Sequence, residues 1–138
     1  MVLTFWLYVS RSTIPPELAP NIVGDLVRGS QLKNKSLAVT GTLLFSGGFF
    51  SQLLEGPPAE LMSLRSVILD DERHEDVRTI AAGRTDRRRF GGWSLAFSGT
   101  SIVAARVLQR AWRCTSHDAP IASSSLLQLM GDLVNEKG

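Results

Sequence analysis

The sequence predicts an α+β fold, and two observations support this prediction. Apolar segments of strand length alternate with helical stripes in the order strand, helix, strand, strand, helix, strand. Short clusters of polar residues, glycine and proline separate these segments. This order is that of a ferredoxin-like βαββαβ core, here with a fifth strand, and such a core packs its two helices on one face of the sheet. The chain of 138 residues is long enough for one hydrophobic core and ends in a helical tail.

The first strand is predicted over Leu3–Val9, an apolar and aromatic segment that ends at polar residues. Alternation along a strand sends Thr4, Trp6 and Tyr8 to one face of the sheet. The first helix is predicted to begin near Pro20, because a proline in the first helical turn costs no hydrogen bond. The apolar stripe of this helix consists of Ile22, Val23, Leu26 and Val27.

A hairpin is predicted next, because strands over Leu37–Phe45 and Phe49–Glu55 flank the turn sequence Ser46–Gly48. The sequence Gly56–Pro58 interrupts the second of these strands and starts the second helix. The apolar stripe of that helix contains Leu61, Leu64 and Ile68.

Two further strands and two tail helices complete the prediction. The strands are predicted over Val77–Ala82 and Phe90–Ser98, and the tail has amphipathic stripes near residues 102–108 and 126–134. We expect the tail to cover the sheet face that the first two helices leave open, or to pack on a second copy of the chain. The expected organisation is a domain over residues 1–98 and a two-helix extension over residues 99–138.

Composition argues against several classes of protein and site. A net charge of +2 gives no general basis for nucleic-acid binding, and we interpret the four arginines of Arg84–Arg89 as a solvated turn or strand edge. Cys114 is the only cysteine, which fits a reducing cytoplasm. His74 and His117 lie far apart in sequence, so no metal site is expected. No apolar run approaches the roughly 20 residues that span a bilayer, and no signal peptide is predicted.

Two polar side chains, those of Gln52 and Tyr8, are predicted to lie within the sheet interior. Alternation places Gln52 between Phe50 and Leu54 on a face that is expected to be buried. A buried amide needs hydrogen-bond partners, so Gln52 either bonds to neighbouring backbone or faces a bound polar ligand. Tyr8 either packs as an ordinary core residue or, with the first and third strands as neighbours, bonds to Gln52.

Four further polar residues follow the ends of the two predicted helices. Asn34 follows the first helix, where asparagine is commonly a cap or turn residue. Asp71, Arg73 and His74 follow the second helix, where cations interact favourably with the helix dipole. The chain has no nucleophile elbow, phosphate loop or dinucleotide-binding glycine motif, so the common enzyme templates find no support.

Five segments, taken together and in order, resemble the BLUF family of flavin-binding blue-light sensor domains. The register of the five segments carries more weight than any one of them, and together they span residues 3 to about 98. The segments are Leu7–Ser10, Asn34 with Val39–Leu43, Phe49–Pro57, Asp71–His74, and Arg88–Ser94.

The resemblance implies a non-covalently bound flavin between the two helices, FAD as a rule and FMN as the alternative. Tyr8 matches the photoactive tyrosine of the family, and Gln52 matches the glutamine that bridges the tyrosine to the flavin. In such proteins blue light moves an electron and a proton from the tyrosine, the glutamine rearranges, and a red-shifted signalling state results. The residues implied to bind the flavin are Leu26, Asn34, Gln52, Ile68, Asp71, Arg73 and His74.

Three positions depart from the family pattern. Lys33 replaces a polar neutral or aromatic residue, and Val67 stands where some relatives carry an arginine. Leu95 replaces a methionine that, with the tryptophan matched by Trp93, is implicated in passing the signal on. We therefore expect the output of the signal to differ from that of relatives more than flavin binding does.

The expected function is that of a photoreceptor without enzymatic activity, which acts on an unidentified protein partner and assembles as a homo-oligomer. A light-insensitive module of the same fold, binding a ligand or another protein, is one alternative. An acylphosphatase-like enzyme is another, by analogy of fold alone. That enzyme would need an arginine and an asparagine arranged around a phosphate, and the sequence offers no convincing loop for them.

Overall fold

The computed structural model describes residues 2–98 and 101–137 and contains five strands and four α-helices in that part of the chain. The elements follow the predicted order, with a short 3-10 turn at Pro16–Leu18. They are β1 (Leu3–Ser12), α1 (Ala19–Ser36), β2 (Thr40–Ser46), β3 (Phe49–Gly56), α2 (Pro58–Asp70), β4 (His74–Thr85), β5 (Ala96–Ser98), α3 (Ile102–Arg113) and α4 (Ala119–Lys137).

The five strands form one sheet in the order β4-β1-β3-β2-β5. Neighbours among the first four strands are antiparallel, and β5 runs parallel to β2. This arrangement confirms the predicted ferredoxin-like core with an added strand. The central position of β1 agrees with its apolar side chains on both faces, and its register with β3 places Tyr8 opposite Gln52.

Each face of the sheet carries its own hydrophobic core. Helices α1 and α2 cover the first face, which we call the α1–α2 face, and the tail helices α3 and α4 cover the second, which we call the tail face. The sheet side chains in the core of the α1–α2 face are Trp6, Tyr8, Leu43, Phe50 and Leu54. Those in the core of the tail face are Leu7, Val9, Leu44, Leu53 and Ile80.

Every predicted strand has different bounds in the structure, by one residue in β3 and by three or more residues in β1, β2, β4 and β5. Strand β4 is longer than predicted, and β2 begins only at Thr40 because α1 continues to Ser36. Ala38 then takes a positive φ of 56°, and the N–H of Val39 donates to the Asn34 carbonyl. The second strand was predicted to start at Leu37. Its backbone N–H groups there are already bonded to carbonyls at the end of α1, so they cannot pair with a neighbouring strand.

The prediction of a fifth strand over Phe90–Ser98 is wrong for its first six residues, since β5 covers only the last three. The Glu55 carboxylate accepts hydrogen bonds from the backbone N–H groups of Arg89 and Phe90, at 2.8 and 2.7 Å. The N–H of Trp93 then bonds to the carbonyl of Phe90 in a turn. The backbone groups of this segment are therefore committed to contacts outside a strand ladder.

The tail is attached to the sheet at both ends of α3. Ser101 caps the helix by accepting from the N–H of Ala104, and its own N–H donates to Ser46 Oγ at the end of β2. At the other end the Trp112 ring lies under the Arg78 guanidinium, 3.9 Å from its carbon. The predicted first residue of the extension, residue 99, lies outside the described residues.

Candidate functional site

A cavity of about 290 Å³ lies between α1 and α2, above β1 and β3. This volume is close to the lower end of the roughly 300–1,000 Å³ that is usual for small-molecule sites. All residues predicted to bind a ligand or to carry its chemistry line the cavity, with the exception of Trp93 and Leu95. These lining residues are Tyr8, Leu26, Asn34, Gln52, Ile68, Asp71, Arg73 and His74.

Tyr8 and Gln52 form a direct hydrogen bond at the floor of the cavity. The Tyr8 hydroxyl donates to Gln52 Oε1 over 2.7 Å, because antiparallel pairing of β1 and β3 places the two residues opposite each other. Both side chains are buried. Burial raises the pKa of the Tyr8 hydroxyl above its ordinary range, and the nearby Asp71 carboxylate raises it further. Tyr8 is thus held as a neutral hydrogen-bond donor.

Two buried amides have polar atoms available to a ligand. Gln52 uses Oε1 for Tyr8, and its Nε2 group has no hydrogen-bond partner among the described residues. Asn34 donates from Nδ2 to the Ser94 carbonyl at 2.9 Å, while its Oδ1 atom has no partner in the same part of the chain. These two residues line the cavity, so a donor and an acceptor there favour a ligand with a complementary polar edge.

The remaining walls of the cavity are apolar. Leu26 of α1 faces Leu64 and Ile68 of α2, while Leu43 and Phe50 extend from the sheet. A cavity with apolar walls and two amides in its lining fits a planar heteroaromatic ring, because such a ring has apolar faces and a polar rim. The residues present therefore fit the isoalloxazine ring of a flavin.

The mouth of the cavity is charged. Arg73 donates to Asp71 in a bidentate pair, with an Nη2 to Oδ2 distance of 2.6 Å. The hydrogen bonds from Arg73 lower the pKa of Asp71 and in turn raise the pKa of Arg73. Lys33 also lines the cavity from the last turns of α1 and is exposed. The polar lining thus carries the cations of Lys33 and Arg73 together with the carboxylates of Asp25 and Asp71.

His74 has a structural role in this arrangement. Its Nε2 lies 2.7 Å from the carbonyl of Ile68, which can only accept, so this nitrogen carries the proton. Its Nδ1 lies 2.7 Å from the Ser10 hydroxyl, within hydrogen-bond distance. With both nitrogens engaged, His74 connects the end of α2 to β1 and presents a ring edge to Tyr8, at a centroid distance of 5.9 Å.

Trp93 and Leu95 lie on opposite faces of the sheet. The Trp93 ring packs against the core of the tail face, whereas Leu95 is only 1% exposed in the core of the α1–α2 face. The amide of Gln31 donates to the Leu95 carbonyl at 3.0 Å, beside the bond from Asn34 to Ser94. The segment from Trp93 to Leu95, which is predicted to relay the signal, therefore does not line the cavity. It contacts Asn34, an amide of the cavity, through the Ser94 carbonyl, and it contacts the core of the tail face through Trp93.

Some contacts around the site were not predicted from the sequence. Trp6 packs against Tyr8 with ring centroids 4.6 Å apart, and Arg65 lies over the Trp6 ring. Alternation along β1 already placed Trp6 and Tyr8 on one face, so their contact was open to prediction. The direction of the Arg65 side chain was not. Val67, noted as a departure from the family pattern, lines the cavity.

Three other features of the described residues bear on the nature of the site. No group of three or more His, Cys, Asp or Glu side chains suited to a metal ion is found within residues 2–98 and 101–137. Over the same residues, no helix has both the length and the apolar character required to cross a membrane. An apolar hollow of about 810 Å³ near the start of α1 is larger than the cavity, but no amide or titratable side chain lines it.

Comparison with known sequences gives one consistent family. The family model for BLUF, described as sensors of blue-light using FAD, matches residues 3–96. The photoactivated adenylate cyclase subunit beta of Euglena longa is 35% identical over 89 residues, which are 64% of this chain and 10% of that protein. Subunit alpha from Euglena gracilis is also 35% identical over 89 residues, with 9% of its length covered. The chain thus spans about a tenth of the length of these curated relatives.

Comparison with solved structures agrees. The dark-state structure of BlrB, a BLUF protein, superimposes with a TM-score of 0.74 at 26% identity and covers 94% of this chain and 96% of that chain. BlrP1 of Klebsiella pneumoniae, solved with FMN and cyclic diGMP, gives a TM-score of 0.64 at 37% identity. That match covers 70% of this chain and 26% of BlrP1.

Proposed function

The chain belongs to the BLUF family of blue-light sensors that use a flavin, and from this premise we propose that Tyr8 and Gln52 are its photoactive pair. The single observation that carries the proposal is their 2.7 Å hydrogen bond at the cavity floor, which leaves Gln52 Nε2 without a partner among the described residues and available to a ligand. A pair of this kind changes its hydrogen bonds when the tyrosine gains or loses a proton.

We propose FAD as the bound flavin, held without a covalent bond. Gln52 Nε2 and Asn34 Oδ1 would bind the polar edge of its ring, and Leu26 and Ile68 would enclose the ring faces. The cations of Lys33 and Arg73 at the cavity mouth suit the phosphates of the flavin tail. Release of the flavin by denaturation, followed by mass spectrometry, distinguishes FAD from FMN.

A bound flavin would supply absorption of blue light and an acceptor for one electron and one proton, and Tyr8 would be the residue that gives up both. Loss of the proton converts the Tyr8 oxygen from a donor into an acceptor, which then faces the acceptor Oε1 of Gln52. Two opposed acceptors favour a turn of the Gln52 amide that presents Nε2 to Tyr8 and Oε1 to the cavity. Return of the electron and proton to Tyr8 leaves the amide in its new orientation, and this changed network is the signalling state.

We further propose that this chain signals without catalytic activity of its own. The curated relatives that bear cyclase names are about ten times longer than the matched region, so the likeness covers their sensor and gives no cyclase chemistry to this chain. Residues 1–98 would form the photosensor, and residues 99–138 an extension that passes the change to a protein partner or a second copy. Size-exclusion chromatography in darkness and under blue light tests the second copy.

The central experiment replaces each member of the photoactive pair. Tyr8→Phe and Gln52→Leu are each expected to retain bound flavin and to abolish the red shift of its visible spectrum under blue light. Gln109→Leu on the exposed surface of α3 is the matched control and should leave the shift intact. A normal photocycle in either variant of the pair, in a protein that binds flavin, would overturn the assigned roles.

A further inference from the structure

A second oxidisable ring lies in contact with Tyr8. The Trp6 indole is only 1% exposed, and its ring centroid is 4.6 Å from that of Tyr8, with the planes tilted by 31°. Trp6 does not line the cavity, so it borders Tyr8 on a side away from the ligand. An indole yields an electron about as readily as a phenol does, and rings in contact exchange electrons quickly. Trp6 is therefore positioned to take over an oxidation that begins on Tyr8.

Such a transfer would defeat the signalling reaction. The Trp6 indole would lose one electron, and the Tyr8 oxygen would gain that electron and take back the proton it had given up. The products would be an intact Tyr8 and a radical cation on Trp6. Tyr8 would again donate to Gln52 Oε1, and the opposed acceptors that turn the Gln52 amide would no longer exist.

Two neighbours of Trp6 oppose its oxidation. The guanidinium of Arg65 lies over the indole, with its carbon 4.7 Å from the ring centroid. A cation at this position is attracted by the neutral ring but repels a ring that carries a positive charge. The indole Nε1–H donates to the hydroxyl of Thr79 over 2.9 Å. A hydroxyl is a weak base, so an oxidised indole would keep its proton and its charge.

The same threonine fixes the position of the cation. Arg65 Nη2 donates to Thr79 Oγ1 over 3.4 Å, so one hydroxyl bonds to both the indole and the guanidinium. Arg65 forms no ion pair with a carboxylate among the described residues, and its charge over the ring is therefore not neutralised there.

We propose that Arg65 is a positioning residue for the photochemistry of Tyr8, which acts through Trp6 by keeping the indole in its reduced state. This inference rests on the proposed role of Tyr8 as electron donor. Because of Arg65, Trp6 packs in the core without competing with Tyr8 as an electron donor. The oxidised residue is then Tyr8, which contacts Gln52.

The first experiment requires neither flavin nor a functioning photocycle. The flavin-free protein is exposed to a photogenerated ruthenium(III) tris-bipyridine oxidant, and peptide mass spectrometry quantifies the oxidation products of Trp6, Trp93 and Trp112 separately. We expect Arg65→Gln to raise oxidation of Trp6 relative to the other two tryptophans by on the order of tenfold. Arg65→Lys keeps the charge and should restore most of the protection. Equal oxidation of Trp6 in wild type and in folded Arg65→Gln would overturn the proposal.

The second experiment uses the flavin-loaded protein and identifies the radical by transient absorption. Arg65→Gln should show an indole radical and a lower yield of the red-shifted state, and the double variant with Trp6→Phe should regain the wild-type yield. Failure of this rescue would contradict the proposal. Trp6→Phe alone preserves an aromatic ring and should not alter the yield; a rise would mean that Trp6 already drains the reaction, against the proposed protection.

These results are separable from a failure of the proposed function. A normal photocycle in Tyr8→Phe would remove Tyr8 as the donor whatever Arg65 does. The ruthenium experiment would still report whether Arg65 protects Trp6, because its readout does not depend on Tyr8 or on light absorbed by a flavin.

Discussion

The two faces of the sheet are built from the same strands and yet differ in kind. On β1 the α1–α2 face receives Tyr8 while the tail face receives Leu7 and Val9; on β3 the corresponding residues are Gln52 and Leu53. The first face contains a cavity and buried amides with polar atoms that lack partners among the described residues, whereas the second is mostly apolar and its buried Glu55 carboxylate is bonded to backbone N–H groups. Because neighbouring residues on a strand point to opposite faces, a residue that lines the cavity is followed directly by one that packs in the core of the tail face.

This separation has an energetic reason. The cavity forgoes the contacts that a filled core would make, and two of the amide atoms of its lining residues have no hydrogen-bond partner among the described residues. The tail face offsets these costs with fully buried residues such as Leu108, Leu126 and Met130. We therefore expect substitutions on the tail face to change the free energy of unfolding and those on the α1–α2 face to change the photochemistry.

The largest expected effect comes from the tail face. Met130 is 0% exposed, and Met130→Ala should lower the free energy of unfolding by about 2–5 kcal/mol because it leaves a cavity. Urea unfolding in darkness measures this change. Gln128→Ala on the exposed side of α4 is the control, with an expected change within about 0.5 kcal/mol. Loss of the red shift in Met130→Ala without loss of stability would show that the two faces are not separate.

The next effect concerns Tyr8, the only tyrosine in the chain. Burial, followed by the Asp71 carboxylate, raises its pKa, so the folded protein should keep Tyr8 protonated above the ordinary value of about 10. The part of the free energy of unfolding that comes from this shift keeps its full value below about pH 10. Above that pH it declines by about 1.4 kcal/mol per pH unit, because only the unfolded chain ionises there.

Absorbance of tyrosinate during an alkaline titration tests this prediction directly. Ionisation should coincide with unfolding instead of preceding it, and Tyr8→Phe should lack this component of the alkaline decline. Ionisation of Tyr8 near pH 10 in a protein with unchanged circular dichroism would show that the α1–α2 face admits solvent.

The smallest effect is expected at the cavity mouth. Hydrogen bonds from Arg73 lower the pKa of Asp71, so the stability from this pair is present above about pH 4 and is lost as the pH falls further. Asp71→Asn should cost about 0.2–1 kcal/mol at neutral pH, as is usual for partly exposed pairs. The cost should disappear in acid. Urea midpoints of wild type and variant across this pH range give the comparison, and a constant difference would contradict the assignment.

The contact between Tyr8 and Gln52 could be predicted from the sequence, because it depends only on the alternation of side chains along two strands and on the adjacency of those strands. Tyr8 and Gln52 meet as soon as β1 and β3 are adjacent, and the element order requires that adjacency. The backbone conformation of the segment from Phe90 to Leu95 could not be predicted from alternation and strand order. Its backbone follows the buried carboxylate of Glu55 and the amides of α1, which lie far away in sequence.

Side-chain direction set a second limit. Arg65 and Val67 are two positions apart on α2, but Arg65 lies over Trp6 while Val67 lines the cavity. His74 lines the cavity, and its two hydrogen bonds, which leave no ring nitrogen free, depend on the positions of Ser10 and the end of α2. Sequence spacing alone does not specify such contacts.

The segment between Arg89 and Leu95 is anchored at both ends, to Glu55 at its start and to Gln31 at its finish. Because both ends are held, the number of residues between Arg89 and Leu95 is constrained as well as their identity. A deletion of one residue would pull either Trp93 from the tail core or Leu95 from beneath α1. The turn at Asp86 and Arg87 is exposed and precedes the first anchor. Among variants of this chain, insertions should accumulate at that turn and be absent from the anchored segment, which also makes the turn the safer place to fuse a reporter domain.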